Sequence, residues 1–441
     1  MGACSESSPS SSHHSSCSQP QPQLLPLLAK RVLTFALYVL VPLALLHYLL
    51  TQHPRLPPAT AVPSSSSQQQ ETAAAAPCDY SDGEWVRSAE GPLYNGTSCG
   101  ATIKSGQNCA VQGRPDTGYL HWRWRPRGCK LPPFDPAEFL DLARGRHVAF
   151  VGDSLARNQC ESLVCLLTSA FPAELTRGAG AGDWDERRKF RRWAFPSHNA
   201  TVSVFWSPFL VNGTEKSRVE GVGPDHDELY LDQPDERWAA ELPGVDVVVL
   251  SAGHWFPHQA VYYERGEVVG CHHCPEPNRT EAGFYGAFRV AVRNALREVV
   301  TRAAGGQGRR PKLAVVTTLS PTHFEGEWDS PTACARTEPY APGEWEEAEV
   351  DREMSRAEVE EVAAARGAGV TVEALQVTRL AGLRPDGHPG AYMKPFPFAG
   401  GEVERVANDC LHWCLPGPID TWNEILLQIV KRWAAGSSST S

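Results

Sequence analysis

Two short segments carry residues able to do acyl chemistry. Gly152-Asp153-Ser154 ends an apolar run and opens an amphipathic stretch, and Asp409-Cys410-Leu411-His412 lies near the C-terminus. A serine at a strand-to-helix turn lifts its hydroxyl above a sheet edge, and the helix N-terminus behind it favours developing negative charge. That hydroxyl is a weak nucleophile without a base. An acid and an imidazole three residues apart supply one. His412 would remove the Ser154 proton and later activate the acceptor, while Asp409 orients the ring and stabilises its charged form. Asp153 would hold the turn that Gly152 opens. Donors for an oxyanion are the backbone N–H of Ser154 and the Gly253 or His254 region, with Arg157 and Asn158, one turn into the helix, as alternatives. The plainer readings are an N-cap serine and a C-terminal packing motif built on Cys410, Trp413 and Cys414.

Such a site needs a sheet to position it. Short apolar runs at 147–151, 202–205, 245–251, 312–319 and 370–377 predict strands, and helical spacing marks 155–169, 284–304 and 354–365. Their alternation predicts an α/β domain with a mainly parallel central sheet, in which ligands bind outside the carboxyl ends of strands. The turns at 152–154, 251–255 and 320–324 fall there. Upstream, the stretch 78–129 is dense in Cys, Gly, Trp and Arg and reads as a compact disulfide-stapled unit. The chain divides into an N-terminal subdomain at 78–146, a catalytic domain at 147–435 and a disordered tail at 436–441, with no internal repeat.

The chain has 441 residues and a net charge of −10, with no long basic run, which excludes a general nucleic-acid footprint. Residues 1–31 predict a disordered cytosolic tail. Residues 32–50 contain no Asp, Glu, Lys or Arg and are long enough to span a membrane as a signal anchor. Lys30 and Arg31 before the span, against Arg55 beyond it, place the N-terminus in the cytosol and the body in the lumen. A cleaved signal peptide is the alternative. Residues 51–77, rich in Pro, Ser, Gln and Ala, predict a flexible stem.

Of the 13 cysteines, Cys4 and Cys17 precede the span and the rest follow it, an odd number that leaves at least one thiol free or paired between chains. Cys160 is the candidate. Asn95, Asn199, Asn212 and Asn278 head Asn-X-Thr glycosylation sequons. Cys271-His272-His273-Cys274 crowds poorly around one tetrahedral ion, so a local disulfide is preferred and no metal is expected. His254, His258, His323 and His388 are candidates for acceptor binding, although an isolated histidine is more often structural or merely exposed. Trp122, Trp124, Trp206, Trp255 and Trp328 could stack on sugar faces, although core packing is the default for each.

The chain resembles the plant trichome birefringence-like family of polysaccharide O-acetyltransferases, which carry Gly-Asp-Ser and Asp-x-x-His motifs on an SGNH-hydrolase-like three-layer fold. The resemblance covers residues 78–433. It rests on Cys78-Asp79-Tyr80-Ser81-Asp82-Gly83-Glu84-Trp85, Gly113-Arg114-Pro115-Asp116, Trp122-Arg123-Trp124, Gly152-Asp153-Ser154-Leu155-Ala156-Arg157-Asn158-Gln159 and Asp409-Cys410-Leu411-His412-Trp413-Cys414-Leu415-Pro416-Gly417. Gly253-His254-Trp255-Phe256, Gly270-Cys271-His272-His273-Cys274 and Arg384-Pro385-Asp386-Gly387-His388-Pro389 are similar to the branch acting on xyloglucan and mannans.

This resemblance implies a Golgi type II membrane enzyme that moves acetyl groups onto a hemicellulose, xyloglucan before mannan or glucomannan, through an acetyl-Ser154 intermediate. It implies no bound cofactor. Acetyl-CoA would be the ultimate donor, with donor-supplying Golgi proteins as partners. It also implies the disulfides Cys78–Cys129, Cys99–Cys165, Cys109–Cys414 and Cys334–Cys410. An acetylesterase using water as acceptor and a non-catalytic glycan-binding wall protein are the competing functions.

Overall fold

The computed structural model describes residues 78–176, 189–217, 224–304, 312–367, 369–401 and 403–438. The tail, anchor and stem expected at 1–77 lie outside the described residues. Among those described, no helix is long and apolar enough to cross a membrane.

Thirteen strands and seven α-helices are described: β1 (Gly83–Arg87), β2 (Trp122–Pro126), α1 (Pro136–Leu142), β3 (His147–Gly152), α2 (Ser154–Thr168), β4 (Glu174–Thr176), β5 (Phe190–Phe195), β6 (Ala200–Trp206), β7 (Val211–Thr214), β8 (Asp227–Pro234), α3 (Glu236–Ala239), β9 (Val247–Ser251), β10 (Ala260–Glu264), β11 (Glu267–His272), α4 (Tyr285–Ala304), β12 (Leu313–Thr317), α5 (Glu349–Ala365), β13 (Thr371–Leu375), α6 (Thr378–Gly382) and α7 (Asp420–Ser438). The central sheet runs β13-β12-β9-β3-β6-β5-β4. From β13 to β6 every pairing is parallel, and each of these five strands coincides with one of the five apolar runs marked in the sequence. β5 and β4 then add antiparallel. A second sheet, β11-β10-β8-β7, is also mixed, so the expectation of a mainly parallel architecture needs correcting to mixed sheets. The physical reason is connection length: β5 and β6 are joined by a short turn, and so are β10 and β11, which permits only antiparallel neighbours.

Alternation along the parallel strands builds a core on each face. Val148, Phe150, Val202, Val204, Val247, Val249, Leu313 and Val315 point to one side, where Leu163, Val164 and Leu167 of α2 meet Ile425, Leu426, Ile429 and Val430 of α7. Ala149, Val151, Val248, Leu250, Ala314 and Val316 point to the other, against Phe288, Val292 and Leu296 of α4 and Met354 and Val362 of α5. The result is a helix–sheet–helix sandwich. α7 continues through Ser438, where a tail from 436 was expected, because Gly436 alone costs only about 1 kcal/mol and does not stop a helix already well propagated.

Residues 78–146 share the first of these cores. Trp85, Tyr94 and Trp124 are buried in it, and the Trp85 indole N–H donates to the Leu380 carbonyl at 2.8 Å. Five disulfides are formed: Cys78–Cys129, Cys99–Cys165, Cys109–Cys414, Cys271–Cys274 and Cys334–Cys410. Four of them are the pairings the resemblance implies, and the fifth is the local bond preferred over a metal. Cys160 is free and buried. Burial raises its pKa well above the ordinary thiol value, which makes it inert.

Candidate active site

Ser154 is placed by the end of β3. Gly152 has a φ of +149°, and a Cβ there would meet the Ser251 carbonyl oxygen at 1.7 Å, so only glycine permits the approach of β3 to the end of β9. The Ser251 and Gly152 carbonyls accept from Asp153 N at 3.1 Å and Ser207 N at 2.8 Å, fixing the turn between its two neighbouring strands. Asp153 is buried and does two jobs. Its Oδ1 caps α2 by accepting from Leu155 N at 2.9 Å, and its Oδ2 accepts from Gly253 N at 3.1 Å and His254 N at 3.4 Å. The first turn of α2 leaves the Ser154 N–H without an intrahelical acceptor.

Asp409 and His412 form a direct pair. Asp409 Oδ2 lies 2.8 Å from His412 Nδ1, and its Oδ1 also accepts from the His412 and Leu411 backbone N–H groups at 2.9 and 3.2 Å. Burial alone would raise the Asp409 pKa. The His412 imidazole, its hydrogen bond and the two backbone donors outweigh that and hold the carboxyl well below its usual range. Donation from Nδ1 leaves Nε2 with a lone pair, as a general base requires. His412 Nε2 is buried and, among the described residues, has no hydrogen-bond partner.

The two segments meet through Asn158. Its side-chain oxygen accepts from Trp413 N at 2.7 Å, and its amide donates to the Trp413 carbonyl at 3.2 Å. A residue one turn into α2 is thereby clamped to the residue after His412. No direct Ser154–His412 hydrogen bond is present among the described residues; the clamp is what sets their separation.

This geometry revises the expected oxyanion donors. Gly253 and His254 point their backbone N–H groups at the Asp153 carboxylate, and Asn158 spends its amide on Trp413. The Ser154 N–H is the candidate that keeps its donor. Arg157 is half-buried, and its buried Nε has no hydrogen-bond partner among the described residues. Burial lowers the His254 pKa and His412 adds to the fall, while Asp153 and a hydrogen bond to the Ser320 backbone oppose it. The His254 Nε2 is buried and, among the described residues, has no hydrogen-bond partner.

His323 and His388 do not line an open acceptor site, as the sequence suggested. Both are buried, because each ring is consumed by internal hydrogen bonds. His388 Nδ1 lies 2.8 Å from the His412 carbonyl and its ring stacks on Trp413 with centroids 4.2 Å apart. Behind it, Arg114 donates to the carbonyls of His388 and Asp386, each at 2.7 Å. Arg384 and Asp386, both fully buried, pair through two hydrogen bonds of 2.7 and 2.9 Å. The motif at 384–389 is thus the floor under the His412 segment. Sequence reasoning noted that motif and did not find its role; a buried Arg beside an Asp was the available signal.

Of the tryptophans, Trp124 is buried, Trp122, Trp206 and Trp255 are half-buried and Trp328 is exposed. His258 is exposed too. Asn95, Asn199, Asn212 and Asn278 are all exposed, as an acceptor for glycosylation must be. No group of three or more His, Cys, Asp or Glu side chains among the described residues could hold a metal ion.

Comparison with known proteins adds the following. The model of the PC-esterase family, a GDSL/SGNH-like acyl-esterase family found in Pmr5 and Cas1p, matches residues 131–429, and that of the PMR5 N-terminal domain matches 76–130. Xyloglucan O-acetyltransferase 1 of Populus trichocarpa is 51% identical over 416 residues, 92% of this chain and 94% of its own. Xyloglucan O-acetyltransferase 1 of Arabidopsis thaliana is 54% identical over 357 residues, 81% of each chain. Protein trichome birefringence-like 24 of Arabidopsis thaliana is 38% identical over 383 residues, 85% and 86% of the two chains.

Proposed function

From the premise that this chain belongs to the PC-esterase family, GDSL/SGNH-like acyl-esterases, we propose that it is an acyltransferase that moves acetyl groups onto hydroxyls of xyloglucan. The observation that carries the chemistry is the Asp409–His412 pair, held by Asn158 beside the turn that presents Ser154. In the first half-reaction Ser154 Oγ attacks the acetyl carbonyl carbon and its proton passes to His412 Nε2. The tetrahedral oxyanion lies at the start of α2, toward the Ser154 N–H, and collapses as the donor's leaving group departs with that proton. In the second, the acceptor hydroxyl gives its proton to His412, its oxygen attacks the acetyl-serine carbonyl, and Ser154 leaves and is reprotonated. Asp409 keeps the imidazole in the tautomer both steps require. Acetyl-CoA is the ultimate donor in this reading, supplied to the lumen by other Golgi proteins, and residues 32–50 anchor the body there as a type II protein carrying glycans on its exposed sequons.

The test uses the full-length protein with acetyl-CoA and separate xyloglucan, glucomannan and xylan oligosaccharides. Product masses are read beside a Ser154→Ala control. Serine-dependent addition of acetyl to xyloglucan is expected. Release of acetate with no glycan product would make the protein an esterase instead.

A further inference from the structure

Exposed aromatic side chains gather on two loops, each tied to the active-site segment. Among the described residues, five Phe, Trp or Tyr side chains are more than about a third exposed, and four of them, Phe324 (43%), Trp328 (59%), Phe396 (61%) and Phe398 (36%), lie on two loops beside Asp409. The first loop is fastened to the active-site segment at several points. His323 N donates to the Cys410 carbonyl at 3.0 Å, Cys334 is disulfide-bonded to Cys410, and the Asn408 amide donates to the carbonyls of Trp328 and Ser330 at 3.1 and 2.8 Å. The second loop is equally fixed. Gly390 and Asp409 exchange two backbone hydrogen bonds, and Phe396 N donates to the Gln112 carbonyl at 2.8 Å.

Aromatic rings left in water on a rigid frame are costly unless something covers them. Both arginines on these loops are already paired, Arg405 with Asp329 and Arg336 with Glu325 and Glu344, which leaves neither for an anionic partner. A neutral partner with apolar faces and hydroxyl edges therefore suits this surface better than an ionic one. We propose that Phe324, Trp328, Phe396 and Phe398 form a stacking platform for the backbone of a neutral hemicellulose chain, and that this platform holds the acceptor while one hydroxyl reaches His412. The assignment deepens the xyloglucan reading and rests on it for the identity of the glycan.

The experiment compares parent, Trp328→Ala and Phe396→Ala full-length proteins. Acetylation of a xyloglucan oligosaccharide and hydrolysis of 4-nitrophenyl acetate are measured side by side. A platform raises KM for the oligosaccharide about ten-fold in each variant, leaves kcat within about two-fold, and leaves the small ester's hydrolysis unchanged. Unchanged KM in both variants overturns the proposal, and so does a parallel fall in ester hydrolysis, which would mean a structural role. Should the parent acetylate no xyloglucan, the functional reading fails by itself. Calorimetric binding of the oligosaccharide to Ser154→Ala then decides the platform: binding lost on adding Trp328→Ala supports it, and no binding at all overturns it.

Discussion

His323 Nδ1 lies 2.7 Å from His388 Nε2, and the other nitrogen of each ring is 2.8 Å from a main-chain carbonyl, Gly382 for His323 and His412 for His388. Three contacts need three protons, and two neutral imidazoles carry two. Burial lowers the pKa of both rings. For His323 the Gly382 hydrogen bond, Asp386 and Glu325 pull the other way and Arg336 pushes further down; for His388 the His412 carbonyl and Asp409 oppose, and His323 and Arg114 add to the fall. The pair is thus one proton short at neutral pH and fills its third contact on acidification.

His388→Ala removes the bond to the His412 carbonyl and the stacking on Trp413. It should lower kcat about ten-fold with little change in KM, because the base is displaced and the acceptor surface is not. Asn at the same position offers an amide N–H where Nδ1 stood and should recover most of the loss. Nitrogen NMR on labelled histidine should show the parent's pair taking up a proton below the ordinary value of about 6.5, a transition that His388→Asn abolishes.

Asp409→Asn keeps the volume and loses the charge and the tautomer control. A fall in kcat of about 10³- to 10⁴-fold is expected in steady-state kinetics, by analogy with other triads. Its stability effect has a defined sign. A carboxylate held below its unfolded pKa of about 3.9 stabilises the fold above that pH and ceases to do so as pH falls through the folded value. Urea unfolding should therefore show a parent–variant gap at pH 7 that narrows below about pH 4.

Asn158→Ala leaves the Trp413 N–H and carbonyl without partners in a buried place. A loss of about 2–4 kcal/mol in urea unfolding follows from two unsatisfied groups. Because the clamp also sets the approach of His412 to Ser154, kcat should fall while Asp409 still holds the ring.

Burial pushes Glu424 up to about 7 against the pull of Arg123, 3.6 Å away. An acid whose folded pKa is raised favours the fold below its unfolded pKa and loses that advantage as pH rises toward the folded one. Glu424→Gln escapes this loss. Relative to parent, the variant should gain about 1–2 kcal/mol of unfolding free energy between pH 5.5 and 7.5, whatever its absolute stability.

The parallel half of the central sheet was legible because β3, β6, β9, β12 and β13 are buried on both faces and read as unbroken apolar runs. β5, Phe190-Arg191-Arg192-Trp193-Ala194-Phe195, carries two arginines and gave no such signal; its antiparallel place between β6 and β4 is decided by the turn to β6. The α7 spacing at Ile425, Leu426, Ile429, Val430 and Trp433 was readable past Pro418 and went unused. At the site, Ser154, Asp409 and His412 stood out because their partners are near in sequence or fixed by a turn. Asn158 and Trp413 are 255 residues apart and His323 and His388 are 65 apart, so their pairings exist only in three dimensions.

Cys410 and Cys414 stand two residues to either side of His412, one bonded to Cys334 and the other to Cys109. Between them the backbone belongs to no helix or strand, so two crosslinks join the Asn158 clamp and His388 in fixing the base. In chain order the nucleophile precedes its base, and both crosslinks reach back from the base segment, to Cys334 and to Cys109. With those four thiols unoxidised, the segment that carries the imidazole loses both of its covalent ties. Reduction is therefore expected to abolish acetyl transfer while leaving Ser154 chemically intact, which activity after complete, mass-verified reduction checks.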